Sequence, residues 1–323
     1  MIAISIDIES QFGLNWSQWK NIVAEVEALG FAGLYRSDHF TVYPQPPDDE
    51  ALELVVSLAY LADHTQRVHF GPLVAPFSFR DPVMLARQAA ALDDLSGGRF
   101  IFGVGAGWGE REHAMFGYPL GDIPTRMDRL AEGLEVITRL LRSDEPVSYE
   151  GRFFQLHEAR LLPRPQRQGG PPLLIPASGS KRGLPLVARY ADIWNTVWRS
   201  PEEFRERSNA LTKELHLLGR PPSAVKRTMM TLLLYGSTPA HLERQTRAIR
   251  RFLPHLANTP LGAVLETLRT EWNAIIGTPE QIIERINAYE AAGVEELILE
   301  WFDTDNLDGL RAFAAEVLPH LSA

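Results

Sequence analysis

The 323-residue sequence contains no cysteine, which removes disulfides and thiolate metal sites. It has no surplus of positive charge. Thirty-two Lys and Arg stand against 41 Asp and Glu, for a net charge of -9, and a phosphate backbone asks for a basic face. No apolar run approaches the roughly 20 residues of a membrane span. The opening residues, Met1-Ile2-Ala3-Ile4-Ser5-Ile6-Asp7, lack the basic stretch that begins a secretory signal and read as a strand. These absences point to a cytoplasmic protein with neither nucleic acid nor membrane as partner. Several chemical signatures are missing too. No Gly-Lys-Ser/Thr phosphate loop occurs. The Gly-x-Gly-x-x-Gly fingerprint fails, because the sixth position is Trp108 counted from Gly103 and Glu110 counted from Gly105. Around Ser178 the first glycine of Gly-x-Ser-x-Gly is replaced by Pro176, which excludes a hydrolase elbow. His-Glu-x-x-His is absent and the histidines are scattered, so no metal centre is expected.

What is present centres on Arg99 to Gly109. Phe100 to Phe102 reads as a buried strand ending in glycines at every second position: Gly103, Gly105, Gly107 and Gly109. Glycine weakens a strand, so the run needs a reason. Either another backbone or a flat ligand comes close, or the run is a bulge and tight turn with no ligand. Glu110 to His113 follows as a polar surface loop.

Around this stretch, strand and helix patterns alternate. Ile2–Ile8 alternates apolar and polar residues. Trp19, Ile22, Val23, Val26 and Leu29 keep helical spacing, and Gly30 closes that helix. Further strands fall at 33–37, 68–74, 173–175, 192–197, 227–234 and 296–300. Helices open at Asp81-Pro82, and at the capping boxes Ser200-Pro201-Glu202-Glu203 and Thr278-Pro279-Glu280-Gln281. Eight strand-helix units in one domain predict a closed (β/α)8 TIM barrel, with a doubly wound open sheet as the alternative. The stretch 236–277 is too long for a plain connection and reads as a helical insertion after the seventh strand.

A barrel's chemistry sits where its strands end. There lie Asp38 and His39, the segment Pro72 to Pro76, the glycines, Ser178-Gly179, Trp194 to Arg199, and Glu300-Trp301. His39 is the candidate acid/base, since imidazole titrates near neutrality; a histidine capping a turn is the bland alternative. Asp38 either orients His39, accepts from a ligand amide, or merely caps a loop. Ser178 and Gly179 precede a helix carrying Lys181 and Arg182. That arrangement suits a phosphate or ordinary capping by Ser180. Tyr43, Trp108, Trp194, Trp198 and Trp301 map to the same rim, with Arg199 beside them. Together they suggest a pocket for a flat, partly apolar ligand rather than core packing.

In order along the chain, Ser37-Asp38-His39-Phe40, Phe79-Arg80-Asp81-Pro82, Leu95-Ser96-Gly97-Gly98-Arg99, Gly103-Val104-Gly105-Ala106-Gly107-Trp108, Ala188-Arg189-Tyr190-Ala191-Asp192 and Gly277-Thr278-Pro279-Glu280-Gln281 resemble the bacterial luciferase-like monooxygenase superfamily. They are most similar to its branch of oxidoreductases dependent on the deazaflavin coenzyme F420. The resemblance implies a homodimeric luciferase-like barrel with the cofactor ring in its mouth, and a non-prolyl cis peptide between Pro72 and Leu73 forming a bulge against that ring. It implies that Ala75, Ala106 and Gly107 line the cofactor, with Asp38 at the ring and Arg111 as a further contact. Ser178, Gly179, Lys181 and Arg182 would take the phosphate. The branch's sugar-phosphate dehydrogenases carry a glutamate right after the glycine run; Trp108 stands there, which speaks against glucose 6-phosphate and leaves His39 as proton donor. Tyr43 replaces a tryptophan of that branch. The expected activity is hydride transfer between reduced F420 and a small organic substrate. An FMN monooxygenase supplied by a reductase is the alternative. A third reading, a cofactor-binding protein without turnover, fits less well, because His39 and the glycine strand are both intact.

Overall fold

Chain direction is punctuated by side chains that satisfy the free N–H groups of helix starts. Asn15 Oδ1 accepts from Gln18 N at 3.1 Å, Asp81 from Met84 N at 2.9 Å, Asp122 from Thr125 N at 2.8 Å, and Ser200 Oγ from Glu203 N at 3.2 Å. Gly30, with φ 91°, ends the first helix in the left-handed region. In a computed structural model that describes residues 2–44, 48–179, 181–236 and 238–321, these signals produce an ordered series. It runs β1 (Ala3–Ile8), α1 (Trp16–Leu29), β2 (Gly33–Arg36), α2 (Leu54–His64), β3 (His69–Pro72), β4 (Ala75–Pro76), α3 (Pro82–Leu95), β5 (Phe102–Gly105), α4 (Glu110–Phe116) and α5 (Ile123–Arg142). Next come the hairpin β6 (Val147–Glu150) and β7 (Gln155–Ala159), then β8 (Leu173–Pro176), α6 (Gly183–Tyr190), β9 (Ile193–Val197), α7 (Pro201–Leu217) and β10 (Lys226–Tyr235). The chain finishes with α8 (Pro239–Gln245), α9 (Arg247–Phe252), α10 (Leu261–Glu271), β11 (Ile275–Gly277), α11 (Pro279–Ala291), β12 (Glu296–Glu300) and α12 (Asp308–Glu316).

All barrel pairings are parallel, in the order β3-β2-β1-β12-β10-β9-β8-β5-β4. A bridge between Phe70 and Phe100 joins the two ends. With β3 and β4 as two parts of one stave, the eight-unit (β/α)8 reading holds and the open sheet does not. The insertion supplies α8, α9 and α10. It also returns through a short strand, β11, beside β10, and builds its own apolar cluster on Leu232 and Leu234. No helix among the described residues is long and apolar enough to cross a membrane. Ser180, the alternative cap, lies outside the described residues, as does part of the proline-rich loop 43–47.

Three local readings change. The cis peptide bond joins Leu73 and Val74, not Pro72 and Leu73, because Pro72 still pairs with Arg36 within β3. Residues 110–116 form a helix, where a loop was expected. Gly103 and Gly105 lie inside β5 rather than past its end. A Cβ on Gly103 would stand closer than 3.0 Å to the Pro72 carbonyl oxygen, and one on Gly105 closer than 3.0 Å to Val74 Cγ2. At these two positions the close neighbour is the adjacent stave, not a ligand.

The closed end of the barrel holds a buried polar knot. Glu296 accepts hydrogen bonds from Ser5 Oγ and from Lys226 Nζ at 2.8 Å, and meets His69 Nε2 at 2.8 Å. Burial favours a neutral Glu296, but His69 and Lys226 outweigh it and bring its carboxyl down to about 2 from 4.5. A depressed pKa adds stability above the unfolded value, and that stability is lost as pH falls through the folded one. Glu296→Gln is therefore expected to lower the urea midpoint at pH 7 and to flatten its decline between about pH 4.5 and 2, measured by unfolding at several pH values.

Candidate active site

The strands' C-terminal ends surround a cavity of about 500 Å³, a size suited to a small-molecule ligand. Leu73 and Val74 present the cis bond on one wall, next to Gly107 and Trp108. Gly107, part of the lining, has φ 82°, and a Cβ there would run into Ser78 Oγ, so only glycine fits at this point. Across the mouth, Trp198 stacks on Trp272 at 4.4 Å and 12°, and Phe12 leans on Phe302 at 5.0 Å.

His39 lines this space. Its Nδ1 lies 2.7 Å from Glu112 Oε1, while Glu112 Oε2 accepts from Phe40 N at 2.9 Å. Glu112 is buried, positioned by the first turn of α4. With Nδ1 engaged, Nε2 is the nitrogen left for a ligand. Burial disfavours the imidazolium, but the Glu112 hydrogen bond and charge outweigh it and raise the His39 pKa above 6.5. Trp108 sits edge-on to the imidazole at 5.1 Å.

A second group of acids occupies the neighbouring wall, on β1 and β12. Asp7 on β1 is in register with Glu300 on β12. Carboxylate oxygens of Asp7, Glu9 and Glu300 lie within 4.8 Å of one another. Burial, then the charge of Glu9, pushes Glu300 up to about 8 against a 3.0 Å hydrogen bond from Trp198 Nε1. Burial, then Glu9 and Glu300, raises Asp7 as well, with Arg36 opposing.

Of the residues picked out in the sequence, His39, Leu73, Gly107, Trp108 and Trp198 come together on the cavity. Ser178, Gly179, Lys181 and Arg182 are exposed and do not line the cavity; in the chain they follow the lining residue Pro176. Lys181 has no side-chain partner among the described residues, whereas Arg182 is paired with Asp128.

The others lie elsewhere. Both Asp38 oxygens are held by Arg80, at 2.8 and 2.7 Å, so Glu112 and not Asp38 orients His39. Pro72 is spent in β3. Ala75 is buried in β4 opposite Val104, and Ala106 packs on the core. Arg111 is tied to Asp48 and the Tyr43 carbonyl. Tyr43 is buried behind Phe12, its hydroxyl on Asp49 at 2.8 Å. Trp194 points outward, stacked on Phe204 at 5.4 Å with Nε1 on the Ala177 carbonyl. Trp301 is buried in the core with Nε1 on the Asp303 carbonyl. Arg199 faces Glu203 at 4.0 Å.

Sequence reasoning missed Glu112, Asp7, Glu9, Phe12 and Trp272 and committed to no role for Glu300. For Glu112 one signal was available, an acid in the first turn after a glycine run.

The sequence profile of the luciferase-like monooxygenases matches residues 4–296. An F420-dependent glucose-6-phosphate dehydrogenase from Kineococcus radiotolerans is 27% identical over 93% of this chain and 92% of its own. A 4-hydroxyprotoasukamycin monooxygenase from Streptomyces nodosus subsp. asukaensis is 41% identical over 133 residues, which are 41% of this chain and 35% of that one. An F420-dependent secondary alcohol dehydrogenase, solved in complex with an F420-acetone adduct, superposes with a TM-score of 0.84 at 20% identity, covering 100% of this chain and 99% of the other. With the profile spanning nearly all of its residues, the chain belongs to the luciferase-like monooxygenase family.

Proposed function

We propose that this oxidoreductase uses reduced deazaflavin F420 to transfer hydride to an unsaturated or carbonyl group of a small organic substrate, with His39 as the proton donor. The observation that carries the reading is the imidazole held by buried Glu112, facing an aromatic cavity beside bare backbone. The residues present fit such a cofactor. The cavity is large enough to hold a flat ring, Leu73-Val74 and Gly107 offer main chain to its face, and a Cβ at Gly179 would meet nothing within 4 Å, which leaves room for a phosphate. When bound, the cofactor supplies the hydride chemistry. The protein's residues do the rest. The Leu73–Val74 wall and Trp108 fix where a ring and a substrate meet, the aromatic wall excludes water, and Glu112 favours the protonated form of His39 and leaves Nε2 for the ligand.

The monooxygenase relative favours a second reading, a reduced-FMN enzyme on the same barrel. Fluorescence titration separates the two. Micromolar binding of F420 is expected, and binding of FMN without F420 would reverse the choice. In the same titration Lys181→Ala should weaken the cofactor about tenfold, the scale of one charge-assisted phosphate contact. Arg182→Ala should weaken it less, because Asp128 already neutralises that guanidinium.

A further inference from the structure

The acids on the β1/β12 wall have no counter-ion of their own. Asp7 is fully buried, and neither of its oxygens receives a hydrogen bond. Glu9 receives one from Gln11 and Glu300 one from Trp198. Among the described residues no lysine or arginine pairs with any of the three. Arg36 lies nearby but gives its guanidinium to the Ser37, Leu52 and Glu53 carbonyls and to Ser57. The His39 imidazole of the same cavity feels the charge of Glu9, but its hydrogen bond goes to Glu112. Crowding buried carboxyl groups without a cation is costly, and a scaffold has no packing reason to retain it.

A second observation concerns what faces them. Glu9 and Glu300 open into the cavity, with Asp7 directly beneath, and the adjoining surface is aromatic: Phe12, Trp198, Trp272 and Phe302. Carboxylates beside aromatic faces are the surroundings that hold an organic cation. A hard divalent metal would instead ask for six or more oxygen ligands, and the wall offers apolar rings. In the strand order β2 separates β1 from the β3/β4 stave that carries Leu73 and Val74, and β12 lies one stave further on. A cation there leaves the Leu73–Val74 wall free.

We propose that Glu9 and Glu300, backed by the unpartnered Asp7, bind an organic cation, a protonated amine or quaternary ammonium group, as the charged part of the substrate. This deepens the reading above and rests on its view of the cavity as the substrate site. The bound cation offsets the mutual repulsion of the crowded carboxyl groups, while the aromatic rings cover its apolar substituents.

The test uses the full chain, with and without F420, and two probes of similar shape: benzyltrimethylammonium chloride and neutral benzyl alcohol. Calorimetry is expected to show the ammonium binding at least tenfold tighter than the alcohol. Glu300→Gln and Glu9→Gln should each remove at least tenfold of that preference while leaving F420 affinity within about twofold. Equal binding of the two probes to the unmodified protein overturns the proposal without any variant. So does stabilisation by millimolar Mg²⁺ or Ca²⁺ that Glu300→Gln abolishes, since the acids would then be a metal site. Ammonium binding with no F420 binding would sink the cofactor reading and keep this one. F420 binding with no ammonium preference would do the reverse.

Discussion

Gly103→Ala should destabilise the protein by about 3 kcal/mol, the upper end of overpacking costs, and lower its melting temperature by on the order of 5 °C or more. The added methyl would meet the Pro72 carbonyl oxygen, and Gly71→Ala would likewise meet the carbonyl of Ile101. Both obstacles are backbone, which cannot swing aside as a side chain does. The two staves concerned, β3 and β5, close the barrel through the Phe70–Phe100 bridge, so relief requires opening the ring or moving Leu73 and Val74. Cofactor affinity should therefore fall along with stability. Gly262→Ala is the control. It lies in α10 with nothing within 4 Å of a Cβ, and alanine there should stabilise by about 0.5 kcal/mol. A Gly103→Ala protein that melts within 1–2 °C of the parent would show that the staves part freely.

That glycine run shows how far the sequence can be read. Four glycines at alternate positions announce close approach, and the announcement is local. What approaches is a segment some thirty residues away, and parallel staves give no short-range sign of which neighbour they adopt. The same limit divides the tryptophans. Trp194 and Trp198 sit at the two ends of one strand's reach, yet the first is stacked on Phe204 outside the barrel and the second closes the cavity. Trp198 has φ 52° and receives its backbone contacts from β10 and Asn273, so strand alternation alone cannot say where its ring goes.

Patterns set by one segment's own chemistry were legible. Helix starts at Asp81, Ser200 and Thr278, the stop at Gly30, and the eight-unit alternation all follow from capping and periodicity. The carboxyl trio was not legible, because Asp7 and Glu300 come from opposite ends of the chain and meet only when β1 and β12 pair. Asp38 illustrates the converse. Its place beside His39 in sequence suggested a partnership, but Arg80 offers a two-pronged donor that a carboxylate prefers, and Glu112 takes the imidazole instead.

The dyad is where the second large effect is expected. His39→Ala should lower turnover about 10²–10⁴-fold, the range for losing a positioned proton donor, while F420 affinity changes by less than about threefold. Glu112→Gln tests why His39 works. In the parent, burial pushes the imidazole toward its neutral form, and the hydrogen bond and charge of Glu112 outweigh it. Turnover that needs the protonated ring should fall as pH rises through that elevated pKa. Removing the carboxylate's charge leaves burial opposed only by the lesser charges of Glu9 and Asp38, so the falling limb of the pH profile should move to lower pH and cut the rate at pH 7. Stability carries the same sign. A raised folded pKa contributes stability fully below the unfolded value near 6.5, lost as pH rises through the folded one. Glu112→Gln should therefore cost more stability at pH 6 than at pH 9. A limb that stays in place in Glu112→Gln, or a His39→Ala enzyme that loses cofactor affinity as steeply as turnover, would reduce the dyad to a structural tie between β2 and α4.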